Sequence, residues 1–294
     1  MFVKAIESVG RFTRAIQSIS RNYGSTSIQA GAVTMFFVNS DGWALTCNHV
    51  AKQLIAGNQL AAKRQTFENE LASQRGQKKK KQQLRELERK YRYGKNATFE
   101  LYNRFVDCIE GPLECELKLH DKLDVALIHF INFTKLLCNS FPAFATNGSD
   151  LKQGTFLCRL GFPFVEFTNF AYDSTSNKID WTTTGREDTP RFPIEGMVTR
   201  HLADDTGQVI GFEMSTPGLR GQSGAPAFDS EGRIWGMQYA TNHLDLNFDV
   251  NQEVMRNGNK KKVRDSAFLH VGYCMHVDVL KSFMTKHGVQ FQEG

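Results

Sequence analysis

Gly221-Gln222-Ser223-Gly224-Ala225-Pro226 is the stretch from which the rest of this chain is best understood. A serine stands between two glycines, shortly before a proline. Glycine adopts backbone conformations that other residues avoid, and proline fixes the exit from a turn. The pattern predicts a tight loop that holds the hydroxyl of Ser223 outside regular structure. The backbone N–H groups of Gly221 and Ser223 would point outward from the same loop.

Two upstream segments each place one reactive side chain at the edge of a strand-like apolar run. Leu45-Thr46-Cys47-Asn48-His49-Val50 ends such a run, and Leu123-Asp124-Val125-Ala126-Leu127-Ile128 begins one. A histidine can take a serine proton during attack, and an aspartate can hold the imidazole in the required tautomer. We therefore predict Ser223 as nucleophile, His49 as base and Asp124 as its partner. The N–H groups of Gly221 and Ser223 would form the oxyanion hole.

Each of these residues has a simpler interpretation when it is taken alone. Ser223 would be a polar turn residue, His49 a hydrogen-bonded core histidine, and Asp124 a cap at a strand edge. Asp121 competes with Asp124, but the apolar run that would anchor a carboxylate begins directly after Asp124. Their joint occurrence in the order histidine, aspartate, serine favours catalysis and a two-barrel architecture.

The three segments resemble those of trypsin-like serine peptidases of the HtrA kind, without an appended PDZ domain. Gly221–Pro226 matches the Gly-x-Ser-Gly-x-Pro loop, Leu45–Val50 the Leu-Thr-x-x-His-Val pattern, and Asp124–Leu127 the aspartate segment. The resemblance covers about residues 28–50 and 97–285. It implies an all-β fold of two antiparallel six-stranded barrels. It also implies peptide-bond hydrolysis through an acyl-enzyme, with neither a metal nor an organic cofactor.

The chain divides into four expected parts. Residues 1–26 are predicted to form an amphipathic helix, whose alternatives are a membrane-surface anchor or a targeting peptide. The first barrel would span residues 27–140 and the second residues 141–276, because a hairpin of one design recurs in each half. Residues 277–294 are predicted to form a C-terminal helix.

A helical hairpin insertion is expected at about residues 52–95, which are rich in Gln, Lys, Glu, Arg, Ala and Leu. Gly76 would divide its two helices. Ten basic residues and only two acidic ones lie between Arg75 and Lys95, although the whole chain carries a net charge of only +5. Three interpretations remain open: a solvated helix face, a docking surface for an acidic protein activator, or a surface for nucleic acid or an anionic membrane. No nucleic-acid-binding motif accompanies the charge.

The substrate pocket is expected to be lined by Pro217, Gly218, Leu219 and Arg220, with Met237, Gln238 and Tyr239 forming the edge strand that pairs with substrate. No acidic residue lies in Ser215–Arg220, so a preference for Lys or Arg is not supported. A small or apolar residue is favoured, and Arg220 would favour an acidic neighbour. Gln222 replaces the aspartate on which activation by N-terminal cleavage depends.

The remaining composition bears on compartment and class. The six cysteines (Cys47, Cys108, Cys115, Cys138, Cys158 and Cys274) lack metal-binding spacing and are predicted to be reduced thiols, which favours a cytoplasmic location. No apolar run is long enough to span a membrane. The predicted function is a serine endopeptidase acting on protein substrates, with a partner regulating or targeting it. The alternative is an inactive or conditionally active interaction scaffold on the same fold.

Overall fold

The computed structural model of the chain describes residues 1–73, 80–256 and 258–294. Within these residues two large sheets dominate and the helices lie at their ends and in one insertion. The helices, numbered in chain order, are α1 (Val3–Gly10), α2 (Asn48–Ser73), α3 (Lys80–Lys90) and α4 (Val277–Lys286), and a 3₁₀ turn spans Gly148–Asp150.

The first sheet contains six strands in the described part of the chain, in the spatial order β4-β1-β2-β3-β7-β6. Its strands are β1 (Thr13–Asn22), β2 (Ile28–Phe37), β3 (Trp43–Thr46), β4 (Thr98–Phe105), β6 (Glu114–Leu119) and β7 (Ala126–Ile131). A separate pair is formed by β5 (Ile109–Glu110) and β8 (Lys135–Leu136). All neighbouring pairs of the first sheet are antiparallel, as the sequence predicts.

The second sheet contains eight strands among the described residues, where six were predicted. Its strands are β9 (Ala143–Phe144), β10 (Phe156–Gly161), β13 (Phe192–Ala203), β14 (Val209–Met214), β15 (Pro226–Phe228), β16 (Ile234–Arg256), β17 (Asn259–His276) and β18 (Gln292–Glu293). The two-residue strands β9 and β18 account for the difference, since they join by parallel pairings. A small hairpin, β11 (Phe170–Asp173) and β12 (Lys178–Trp181), stands apart.

One hydrophobic core joins the two sheets. Phe36 on β2 and Phe144 on β9 are fully buried, with ring centroids 6.4 Å apart. Burial of large aromatic side chains on both sides of the junction stabilises the arrangement of the sheets. The predicted all-β double barrel is therefore confirmed.

The predicted helix over residues 1–26 is wrong beyond Gly10. Residues 13–22 form β1, which pairs with β2 on one side and β4 on the other. Ile16 and Ile19 fit a helical spacing, but β-branched residues also favour strands, and pairing on both edges decides the outcome. The first barrel therefore begins with β1, ahead of the predicted boundary at residue 27.

The helical hairpin forms as predicted between β3 and β4, with its first helix starting at Asn48. The inner face of α2 packs on the barrel through Phe67. The ring centroid of Phe67 lies 6.3 Å from that of Phe99 on β4 and 5.0 Å from that of Tyr93. Buried Arg64 on α2 forms an ion pair with buried Glu100. The predicted break at Gly76 and the basic residues 75–79 lie outside the described residues.

The predicted helix over residues 277–294 ends at Lys286. Gly288 follows with φ +70°, a conformation that ends helices and favours glycine, and the chain then enters β18. Strands β16 and β17 continue past the barrel as a long two-stranded ribbon. Its outer part, with exposed Leu246 and Phe248, was missed by the sequence-based prediction.

The cysteines and the helices bear on the predicted compartment. The six cysteines are all free thiols, and five of them are buried. In the described part of the chain, no helix has the length and apolar character needed to cross a bilayer. A cytoplasmic location stays a prediction.

Candidate active site

The cleft between the barrels contains a cavity of about 510 Å³ that has walls from both. Ser18 of β1 and Ala30–Val33 of β2 lie on one side, and Gly218–Gly221 and Gln238–Thr241 lie on the other. His49 and Ser223 both line this cavity, although 174 positions of sequence separate them. The fold thus brings two of the three predicted catalytic side chains to one surface.

His49 lies in the first turn of α2, directly after β3, and Asp124 immediately precedes β7. Because β3 and β7 are neighbouring antiparallel strands, the residues that flank their paired ends meet. Asp124 Oδ2 lies 2.7 Å from His49 Nδ1, and Asp124 Oδ1 accepts a hydrogen bond from the backbone N–H of His49 at 2.9 Å. The carboxylate thus fixes both the ring and the main chain of the histidine.

The charge state of Asp124 follows from these contacts. Burial acts to raise the pKa of Asp124, but hydrogen bonds from the ring and backbone of His49 outweigh it and hold the pKa below its usual value. The carboxylate is therefore ionised at neutral pH. An ionised acceptor at Nδ1 selects the tautomer in which Nε2 is free to take a proton.

Ser223 stands on a loop whose glycines adopt the predicted conformations. Gly221 has φ +96° and Gly224 has φ +89°. A Cβ on Gly224 would lie 2.0 Å from the carbonyl oxygen of Thr34, so only glycine allows this close approach to the first barrel. Among the described residues, the Ser223 hydroxyl forms no hydrogen bond to His49. Such contacts are often long in unliganded enzymes and shorten when substrate binds.

Thr34 on β2 fastens the serine loop to the first barrel. Its N–H donates to Ser223 O at 3.0 Å, and its hydroxyl donates to Gly221 O at 2.8 Å. Both carbonyls are therefore turned toward Thr34, away from the cavity side of the loop. Sequence reasoning missed this residue. The available signal was a polar side chain inside the buried apolar run that continues to Met35 and Phe36.

Gln222 holds the same loop from the second barrel. It is fully buried, its Oε1 accepts from the backbone N–H of Leu219 at 3.0 Å, and its Nε2 donates to Phe192 O at 3.3 Å. The neutral amide thus closes the loop with two backbone partners. That activation does not depend on N-terminal cleavage stays a prediction.

The predicted substrate-binding residues divide into two groups. Gly218, Leu219, Arg220, Gln238 and Tyr239 line the cavity. Pro217 and Met237 are not part of its lining. Met237 is fully buried between Pro226 of β15 and Met275 of β17, so it cannot belong to an open edge, and that prediction is wrong.

Cys47, His49 and Asp124 place potential metal-ligand atoms within 4.8 Å of one another. Complete burial raises the pKa of Cys47 well above its usual value, and the Asp124 charge adds to this effect. A metal-binding cysteine must be a thiolate. The Cys47 thiol instead donates to Gln238 O at 3.3 Å, so this cysteine does not offer the thiolate that a metal centre would need.

The chain is similar to known peptidases in sequence pattern and in structure. A model for the trypsin-like peptidase domain matches residues 33–237. No curated protein matches the chain. Among solved structures, it is similar to the Rv3671c protease from M. tuberculosis in its active form, with 11% identity, a TM-score of 0.47, and coverage of 99% of this chain and 86% of that one. It is also similar to the inactive form of a Ser-to-Ala mutant of the same protease, with 12% identity, a TM-score of 0.45, and coverage of 97% of this chain and 90% of that one.

Proposed function

Since the chain belongs to the trypsin-like peptidase family, we propose that it is a serine endopeptidase acting through Ser223, His49 and Asp124. The observation that carries the proposal is the bidentate contact of Asp124 with His49, whose ring lines the same cavity as Ser223. A histidine fixed by a carboxylate on one nitrogen is prepared to act as a base through the other.

The reaction would proceed in two stages. His49 Nε2 takes the proton of Ser223 as the hydroxyl attacks the substrate carbonyl, and the imidazolium then gives that proton to the leaving amine. Water enters by the same route, with His49 again the base, and releases the acyl group. The N–H groups of Gly221 and Ser223 would stabilise the oxyanion, each being worth on the order of 10²–10³ in turnover.

Protein substrates would lie extended between the barrels, against β2 on one side and the Gln238–Thr241 segment on the other. The latter lies beyond the pairing of β16 with β15, which ends at Pro226 and Met237. Backbone pairing there would position the scissile bond, and the cavity walls would select the side chain.

A basic stripe on α3 supports a proposal about targeting. Lys81, Arg85 and Arg89 are exposed and four residues apart, so they share one helix face. We propose that this stripe docks an acidic protein partner, with nucleic acid as the alternative. Deleting the whole hairpin would uncover Phe99 and Glu100, so charge-neutralising substitutions are the better test.

A fluorophosphonate probe tests the central proposal, because it reacts only with an activated serine. We expect labelling of the intact protein that disappears in Ser223→Ala. Ser149→Ala, at an exposed serine of the second barrel, is the matched control and should label normally. A folded protein that resists the probe would instead be the interaction scaffold.

A further inference from the structure

Arg159 is a buried cation that has no acidic partner among the residues that the structure describes. It lies on β10 with no exposed surface. Its guanidinium donates to Gln238 Oε1, and to Thr216 O at 3.0 Å, Thr216 Oγ1 at 2.6 Å and Pro217 O at 3.2 Å. All of these acceptors are neutral. Its Nε has no hydrogen-bond partner in the part of the chain that the structure describes.

Such an arrangement is costly to folding. Moving a charged group out of water carries a large penalty, which neutral hydrogen bonds offset only in part. Burial accordingly lowers the pKa of Arg159, while the thiols of Cys274 and Cys158 act in the opposite direction. A guanidinium nevertheless stays protonated in proteins. A positive charge is thus maintained in the interior without a counter-ion from the described residues.

The charge lies directly behind a wall of the cavity. Gln238 and Gly218 line the cavity, and Arg159 holds both the Gln238 side chain and the residues that precede Gly218. Gly272 leaves room for the cation, because a Cβ there would lie 2.2 Å from Arg159 Nη1. Gln238 Oε1 is occupied by Arg159, so this amide offers only hydrogen-bond donors, one of which goes to Ala240 O.

Among the described residues, the other side chains that line the cavity add no negative charge of their own. No carboxylate is among its lining residues in the described chain, and its only cationic side chain is that of exposed Arg220 at the rim. Electrostatic interactions are stronger in such a partly enclosed, low-dielectric setting than in water. The cavity is therefore electropositive on the side formed by Gln238 and Gly218 and at its mouth, whereas the ionised Asp124 lies behind His49.

We propose that this cavity takes an acidic side chain of the substrate, a glutamate or aspartate directly before the scissile bond, and that Arg159 is the residue that determines this specificity. The inference rests on the proposed peptidase function. The substrate carboxylate would supply the missing counter-charge, reached through the Gln238 amide and the wall formed by residues 216–218. This replaces the expectation, drawn from sequence, of a small or apolar residue at the cut site.

Four fluorogenic peptides that differ only in the residue before the cut, Glu, Gln, Leu or Lys, test the proposal. We expect kcat/KM for Glu to exceed that for its isostere Gln by roughly tenfold or more, since a paired charge separates the two. Arg159→Met should bring that ratio to about one. Arg200→Met, at a half-exposed arginine of the same barrel, is the matched control and should keep it.

A second variant guards against misfolding of Arg159→Met. Gln238→Glu is isosteric and places a carboxylate beside Arg159, so it should abolish the preference for Glu while the cation remains. Wild-type protein that labels with fluorophosphonate, yet hydrolyses Glu no faster than Gln, overturns the inference and leaves the peptidase proposal standing. The inference is also overturned if Arg159→Met and Gln238→Glu both keep the preference for Glu and Arg220→Ala loses it. Absence of labelling overturns the peptidase proposal itself, and this inference with it.

Discussion

His49 and Asp124 are joined twice, through the ring Nδ1 at 2.7 Å and through the backbone N–H at 2.9 Å. The second contact matters because it fixes the first turn of α2 to the start of β7. The histidine is therefore positioned by the same carboxylate that sets its tautomer. A substitution at Asp124 should disturb chemistry and local structure to different extents, and the two can be separated.

Asp124→Asn should keep an acceptor for the His49 backbone but remove the charge and reverse the preferred tautomer. We expect turnover to fall by roughly 10⁴-fold, the loss that this change causes in a catalytic triad. Peptide hydrolysis and the rate of fluorophosphonate labelling would measure it. Asp121→Asn, at the strongly exposed carboxylate three residues earlier, is the control and should be nearly neutral. Equal losses at the two positions would contradict the assignment.

Thr34→Val should uncouple the serine loop from the first barrel. The variant keeps the shape of the side chain but loses the hydroxyl that donates to Gly221 O and accepts from Phe162 N–H at 3.2 Å. Leaving these buried groups without a partner should cost about 1–3 kcal/mol in the free energy of unfolding. Because Gly221 belongs to the proposed oxyanion hole, labelling of Ser223 should slow as well.

Thr13→Val is the matched control for that variant. Thr13 is also buried on the first sheet, and its hydroxyl donates to Val9 O at 2.8 Å, away from the serine loop. Urea unfolding should show a comparable loss of stability, while the labelling rate stays at the wild-type value. If both variants slow labelling equally, Thr34 has only a structural role.

His276 should make the stability of the second barrel depend on pH. It is buried, and its Nδ1 accepts from the Asp278 N–H at 3.3 Å, which caps α4. Burial lowers the pKa of His276 below 6.5, and His201 and Lys281 act in the same direction, while Asp278 opposes them. The unfolded chain therefore binds the proton more readily, so stability is full above pH 6.5 and decreases as pH falls toward the folded-state pKa.

Thermal unfolding between about pH 7.5 and pH 5 would measure this dependence, which spans the range in which histidine titrates. His276→Asn keeps an N-cap acceptor without a titratable group. We expect it to be less stable than wild type at neutral pH, because a smaller side chain leaves a cavity, but to lose less stability on acidification. His243→Asn, at an exposed histidine, should keep the wild-type slope. An unchanged slope in His276→Asn would contradict the prediction.

The sequence predicted the parts of the fold that have local signals. The hairpin of β2 and β3 and the hairpin of β15 and β16 each lie where a turn, Asn39–Gly42 or Asp229–Gly232, separates two β-rich runs. The helices α2 and α3 lie where helix formers accumulate. Residues 13–22 were misassigned because Ile16 and Ile19 satisfy both a helical and a strand pattern. Only pairing with β2 and with β4, the second of which lies far along the chain, distinguishes the two patterns.

The ribbon was missed although its signal is present. Leu244, Leu246, Phe248 and Val250 alternate with polar residues, which is the period of a strand. For the site, His49, Asp124 and Ser223 could be proposed from the sequence because they occur jointly, in the order histidine, aspartate, serine, each at the edge of an apolar run or in a glycine-bounded loop. Arg159 and Thr34 were not proposed, because their contacts form only where distant strands meet. The local signal was limited to the polar side chain of Thr34 inside an apolar run.

The basic stripe on α3 yields the last prediction. Replacing Lys81, Arg85 and Arg89 by glutamine should leave hydrolysis of short peptides unchanged. The reason is distance, since Lys90, next to Arg89, contacts Glu70 of α2, roughly 32 Å from His49 along that helix at 1.5 Å per residue. Retention on immobilised polyglutamate at low salt should weaken, because exposed charges act over about a Debye length.

The control for this variant removes the same charge elsewhere. Lys260, Lys261 and Lys262 are exposed on the ribbon, and their replacement by glutamine changes the net charge equally. If both triple variants lose retention to the same degree, net charge rather than the α3 stripe is responsible. If wild type binds immobilised RNA or DNA but not polyglutamate, with affinity that falls steeply as salt rises, the stripe serves nucleic acid instead of an acidic protein.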